Sequence, residues 1–148
     1  MSAELNLYDQ DFFAWTQEQA KLIKEKSFDK LDFINLIEEV DSIGKREKRE
    51  LSSRLSLLLM HLLKWKYQPT HRVTSWELTI KEKRNELIHH LKENPSLRNP
   101  ENLTETFEHA YEIAILKAAK ETKLSPKAFP AFCEWNFEQA LNSDFYPN

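Results

Sequence analysis

Apolar residues recur along the middle of the chain at helical spacing. Leu51, Leu55, Leu58, Leu62 and Trp65 follow one another at steps of 4, 3, 4 and 3, which places them on one stripe of an α-helix. Leu57, Leu59, Met60 and Leu63 widen the stripe until residues 57–63 are apolar almost all round. A helix of that kind is packed on most sides, so this segment is predicted to form the centre of the core. Upstream, Leu36, Ile37, Val40 and Ile43 keep a 3 to 4 spacing as far as Gly44, with Asp32 placed to cap the start. Glycine in a helix interior costs about 1 kcal/mol relative to alanine. Residues 32–66 are therefore one long helix with a weak point or two shorter ones, and the spacing on both sides favours one. Pro69 ends it by biasing Gln68 out of the helical region.

The same reading extends to both ends. Phe12, Trp15, Ala20, Leu22 and Ile23 predict a first helix over 11–26, with lysines in its last turn, where the helix dipole favours them. Thr74 with Glu77 has the spacing of a capping box, and Leu78, Leu87, Ile88 and Leu91 carry a helix to Asn94-Pro95. Asn99-Pro100 opens another, with Leu103, Phe107, Ala110, Ile113, Ala114 and Ala118 on its inner face and an end near Thr122. The tail, with Phe129, Phe132 and Trp135 among its prolines, is expected to wrap the bundle before a short last helix capped by Asn136 and Gln139. The fold class that follows is all-α: one domain over 1–148 with its core over about 7–147, four to five main helices, a long central helix and a short C-terminal one.

Composition narrows the chemistry. Of 148 residues only one is glycine and one is cysteine. Hairpins, dinucleotide-binding turns and phosphate loops need glycines, so nucleotide-loop enzymes are disfavoured. Cys133 has no internal partner and forms no CxxC pair, which fits a reducing, cytoplasmic compartment. The polar, acidic start of the chain lacks the features of a signal peptide, and the longest purely apolar run, Leu57 to Met60, is far short of the roughly 20 residues that span a bilayer, so no membrane association is expected. Charge is unevenly spread. Residues 1–41 hold 4 basic and 10 acidic side chains, residues 42–92 hold 12 and 5, and residues 93–148 hold 5 and 9. A basic middle between acidic ends is either a binding surface or is neutralised within the fold.

Several side chains on the central helix bear on chemistry. Glu47, Arg54 and His61 recur at steps of seven and so lie close to one line, with Glu50 four residues before Arg54. His61 has Leu57, Leu58 and Trp65 as helical neighbours, which turns the imidazole into apolar surroundings. Two readings stand: a charged pocket in which histidine is acid, base or ligand, or an ion-pair network that registers the helices. Glu38, Glu39 and Asp41 with the histidines invite a metal reading, but di-metal bundles need two Glu-x-x-His pairs, and Glu86 with His89 is the single match. HExxH is absent, so neither metal nor cofactor is expected. Lys45, Arg46, Lys48 and Arg49 form a basic cluster that is either a phosphate or partner face or a solvated helix surface.

Asp11-Phe12-Phe13-Ala14-Trp15, Asn35-Leu36-Ile37-Glu38-Glu39-Val40 with Gly44, His61-Leu62-Leu63-Lys64-Trp65 with Gln68-Pro69, Ser75-Trp76 and Pro95-Ser96-Leu97-Arg98 together resemble the mainly cyanobacterial family catalogued as domain of unknown function twenty-nine. The resemblance covers roughly Leu7 to Pro147. It implies a compact helical domain of bacterial cytoplasm and assigns no activity. The family blocks coincide with Glu39, His61, Trp65, Trp76 and Arg84, which join Glu47 and Arg54 as the candidate polar pocket. No catalytic motif is present, so the leading expectation is a non-enzymatic domain that binds another protein or itself. An enzyme or small-ligand protein using the polar pocket is the alternative, and nucleic-acid binding through Lys45 to Arg49 is a third reading.

Overall fold

The computed structural model describes residues 6–148. Residues 1–5, part of the acidic segment read for a signal, lie outside the described residues. The all-α class is observed: six α-helices and no strand among the described residues. They are α1 (Leu7–Gln10), α2 (Phe12–Lys24), α3 (Phe33–Tyr67), α4 (Thr74–Glu93), α5 (Pro100–Thr122) and α6 (Phe137–Leu141), with Asp11 alone between the first two and a short 3₁₀ turn in each later connection. The chain divides into two compact units, one running up to Lys45 and the other from Arg46 to Asn148. α3 passes from the first to the second as one unbroken helix of 35 residues, so Gly44 does not split it.

In the first unit, polar contacts tie two helical segments together around one buried ring. Asp11 caps α2 by accepting from the Ala14 N–H. Trp15 is buried, with Tyr8 edge-on and Phe12 stacked against it. Its indole Nε1–H donates to Asp32 at 3.0 Å. Asp32 does cap α3, accepting from the Asn35 backbone N–H and from its side-chain amide, while the buried Gln19 accepts from the Asp32 N–H at 2.8 Å. These bonds replace an apolar core here. Among the described residues of this unit only Trp15 and Gln19 are buried.

The second unit holds the hydrophobic core. Leu51, Leu55, Leu58, Leu59, Leu62 and Leu63 of α3 meet Ile80, Leu87 and Leu91 of α4 and Ala110, Ala114 and Ala118 of α5. Phe129, Trp135, Phe137 and Leu141 from the tail and α6 close the cluster, and α6 carries the expected capping box of Asn136 and Gln139. Two local expectations change. Thr74 is the first residue of α4 rather than its cap, because Val73 occupies the capping position with no side-chain bond. Leu78 is exposed, since the core-facing side of α4 runs through Ile80, Arg84 and Leu87. Two lysines adopt left-handed backbone, Lys26 after α2 and Lys123 after α5.

Candidate functional site

The second unit assembles a charged cluster from α3 and α4. Helical spacing places Glu47, Glu50 and Arg54 on one face of α3 and Glu86 and His90 on one face of α4. Arg54 donates through Nε and Nη2 to a single oxygen of Glu50, Oε1, and through Nη1 to Glu86 at 3.1 Å. Lys83 adds a second cation 3.7 Å from Glu86. Glu50 therefore turns its other oxygen, Oε2, toward His90, whose Nε2 lies 3.7 Å from it and 2.8 Å from Glu47 Oε2. His90 is only 5% exposed, and its Nδ1 is buried without a hydrogen-bond partner. The Arg54 guanidinium holds the Glu50 carboxyl below its ordinary range, against the opposing effect of partial burial.

Of the seven residues of the expected pocket, Glu39 lies in the first unit, and the six in the second fall into separate sets of contacts. Glu47 and Arg54 belong to the cluster, where Glu50 joins them. His61 stands apart on α3, where desolvation and then the Lys64 charge lower its pKa, with Glu121 opposing them. Glu39 lies in the first unit and accepts a hydrogen bond from the Tyr8 hydroxyl, which, together with burial, pushes the tyrosine pKa up to about 12. Trp65 packs on Tyr146, with the Arg72 guanidinium over its ring, and Trp76 stacks on His71 beneath the Lys64 ammonium. Arg84, 2% exposed, donates to the backbone carbonyls of Ala140, Ser143 and Phe145 and so fastens the C-terminal segment to α4. The residue that sequence reasoning missed is His90. Its local signal is Glu86 four residues before it on the same face of α4; the neighbouring His89, which matches the Glu-x-x-His spacing, is exposed beside Glu93.

A cleft of about 510 Å³ opens elsewhere in the second unit, between α5 and the tail, lined by Leu103, Phe107, Tyr111, Phe132, Trp135 and Phe137 among others. None of the seven residues lines it. The Cys133 thiol at its wall is pushed up to about 11 by burial, in keeping with an unreactive side chain.

A different surface dominates the first unit. Ile37, Val40 and Ile43, placed by their spacing on an apolar stripe of α3, are exposed together with Phe33 and Ile34: 67%, 66%, 53%, 56% and 82% respectively. The opposite side of α3, carrying Asp32, Asn35 and Glu39, makes the contacts to Trp15, Gln19 and Tyr8. The basic residues that follow, Lys45, Arg46, Lys48 and Arg49, are exposed; Lys45 pairs with Asp41 at 2.9 Å and Lys48 reaches Asn102 at 3.4 Å. No helix among the described residues is long and apolar enough to cross a membrane.

The chain belongs to the family described as Domain of unknown function DUF29, which matches residues 7–146. No curated protein and no solved structure matches it.

Proposed function

We propose that this member of a family without an assigned activity is a helical protein-interaction module, and that its partner at the α3 face is a second copy of the same chain. The observation that carries the reading is the exposed stripe itself. Five large apolar side chains on three turns of one helix make a patch on the order of several hundred Å², which water does not favour leaving uncovered.

The order of residues within the stripe supports a second copy. Phe33, Ile37, Val40 and Gly44 follow at steps of 4, 3 and 4, the spacing of a two-helix seam. That series is self-complementary when a second helix runs antiparallel. Ile37 then faces Val40 of the other copy, Ile34 faces Ile43, and Phe33 faces Gly44. The last match sets the largest side chain of the stripe against the smallest, and nothing lies within 4 Å of where a Cβ on Gly44 would stand. A two-fold interface needs one patch to complement itself in this way. Glu38 and Glu39 lie away from the seam by helical geometry, so like charges do not meet at its centre.

Light scattering on size-exclusion eluates, with sedimentation velocity across a concentration series, tests the reading. The expected outcome is a reversible dimer that Val40→Asp converts to monomer without loss of helical circular dichroism. With Cys133 replaced by Ser, Phe33→Cys combined with Gly44→Cys should oxidise to a covalent dimer. A wild-type chain that stays monomeric at several hundred micromolar overturns the proposal, as does a dimer that Val40→Asp leaves intact.

A further inference from the structure

We infer that Glu47, Glu50 and His90 form a binding site for a first-row divalent cation. The inference is independent of the pairing of α3, because all three residues lie in the unit that begins at Arg46. Glu47 and Glu50 are one turn apart on α3 and His90 comes from α4. One ligand atom from each, two carboxylate oxygens and an imidazole nitrogen, gather within 4.8 Å of one another.

The separations suit a common ion. Ligands about 2.1 Å from a metal stand about 3.0 Å apart at neighbouring octahedral positions and about 3.4 Å apart at tetrahedral ones. The His90 Nε2 distances to Glu47 Oε2 and Glu50 Oε2, 2.8 and 3.7 Å, bracket those values. Glu50 is already aimed: both of its contacts with Arg54 use Oε1, which leaves Oε2 on the His90 side, and Glu86 holds Arg54 in turn. This is the outer support that metal ligands depend on. His90 is nine-tenths buried and its Nε2–H donates to Glu47 Oε2 at 2.8 Å; Nδ1 has no hydrogen-bond partner, so the ring proton can move there and leave the Nε2 lone pair to a cation that takes the proton's place.

Charge points the same way. Two permanent cations, Arg54 and Lys83, pair with Glu50 and Glu86, and Glu47, whose partner is His90, adds a third carboxylate to the cluster. The nitrogen donor selects against Mg²⁺ and Ca²⁺, which prefer all-oxygen shells, and favours ions such as Zn²⁺ that take imidazole readily. Glu47 and Glu50 are about one-third exposed, so the remaining coordination positions open to solvent and can take water or an exogenous ligand.

Isothermal titration of the untagged, chelator-treated full chain with Zn²⁺ tests the site. One equivalent should bind and persist in millimolar Mg²⁺. His90→Gln and Glu47→Gln should each weaken binding at least tenfold, whereas His89→Gln should leave it unchanged. Glu47→Gln changes a partly exposed side chain, so it remains informative if the buried His90 variant fails to fold. No uptake by the wild-type chain overturns the inference, and so does uptake that both ligand variants retain in full.

Discussion

The imidazoles of His61 and His90 share a residue type and little else. His90 is held against carboxylates, whereas His61 is half-buried among leucines with lysines nearby, and desolvation followed by Lys64 lowers its pKa below the ordinary 6.5. The unfolded chain therefore takes up a proton on His61 at a higher pH than the folded one does. Between those two values the unfolded state binds more protons, so stability rises with pH there and is lost on acidification. Urea midpoints measured from about pH 5 to 7 should show this slope, and His61→Leu should flatten it. An unchanged slope in the variant would assign the acid sensitivity to another group. Arg84 shows the reverse relation between chemistry and burial. Its guanidinium looks functional in a sequence, but its donors go to backbone carbonyls, a structural use that accounts for a charge at a core position.

At the level of the element, α3 explains both what the sequence conveyed and what it concealed. Its length, its Asp32 cap and its buried run from Leu51 to Leu63 follow from spacing and local chemistry. The fate of Ile37, Val40 and Ile43 does not, because periodicity reports that a helix has an apolar face and not whether anything covers it. The same limit separated His61 from the charged cluster: steps of seven align Glu47, Arg54 and His61 on one helix, but the partners that Glu47 and Arg54 find, His90 and Glu86, belong to α4. Contacts between residues 43 positions apart leave no trace in local spacing. Gly44 offers a direct test at this scale. It is exposed within the helix and a Cβ there meets nothing, so Gly44→Ala should stabilise the monomer by about 0.5–1 kcal/mol in chemical denaturation at low protein concentration. A loss of stability would mean that the backbone at this point is not regular helix.

Across the whole molecule, apolar burial is concentrated after Arg46, while the preceding unit relies on Trp15 and the polar bonds around Asp32. Local stability should follow that distribution even along one continuous helix. In hydrogen exchange at low concentration, amides of residues 51–63 should be the slowest, and those of residues 34–43 should exchange at least tenfold faster. Raising the concentration should slow the second group selectively if the copies pair there. Uniform protection along α3 at low concentration would contradict this picture. The placement of glycine across the chain carries a last consequence. Left-handed backbone is where a residue lacking a Cβ is at an advantage, yet among the described residues both such positions, Lys26 and Lys123, are lysines. The one glycine lies instead in ordinary helix, where its conformational freedom is a liability. Torsional need therefore does not explain Gly44; what the position supplies is vacancy, a notch the width of a missing methyl group on a helix face otherwise built of isoleucine, valine and phenylalanine.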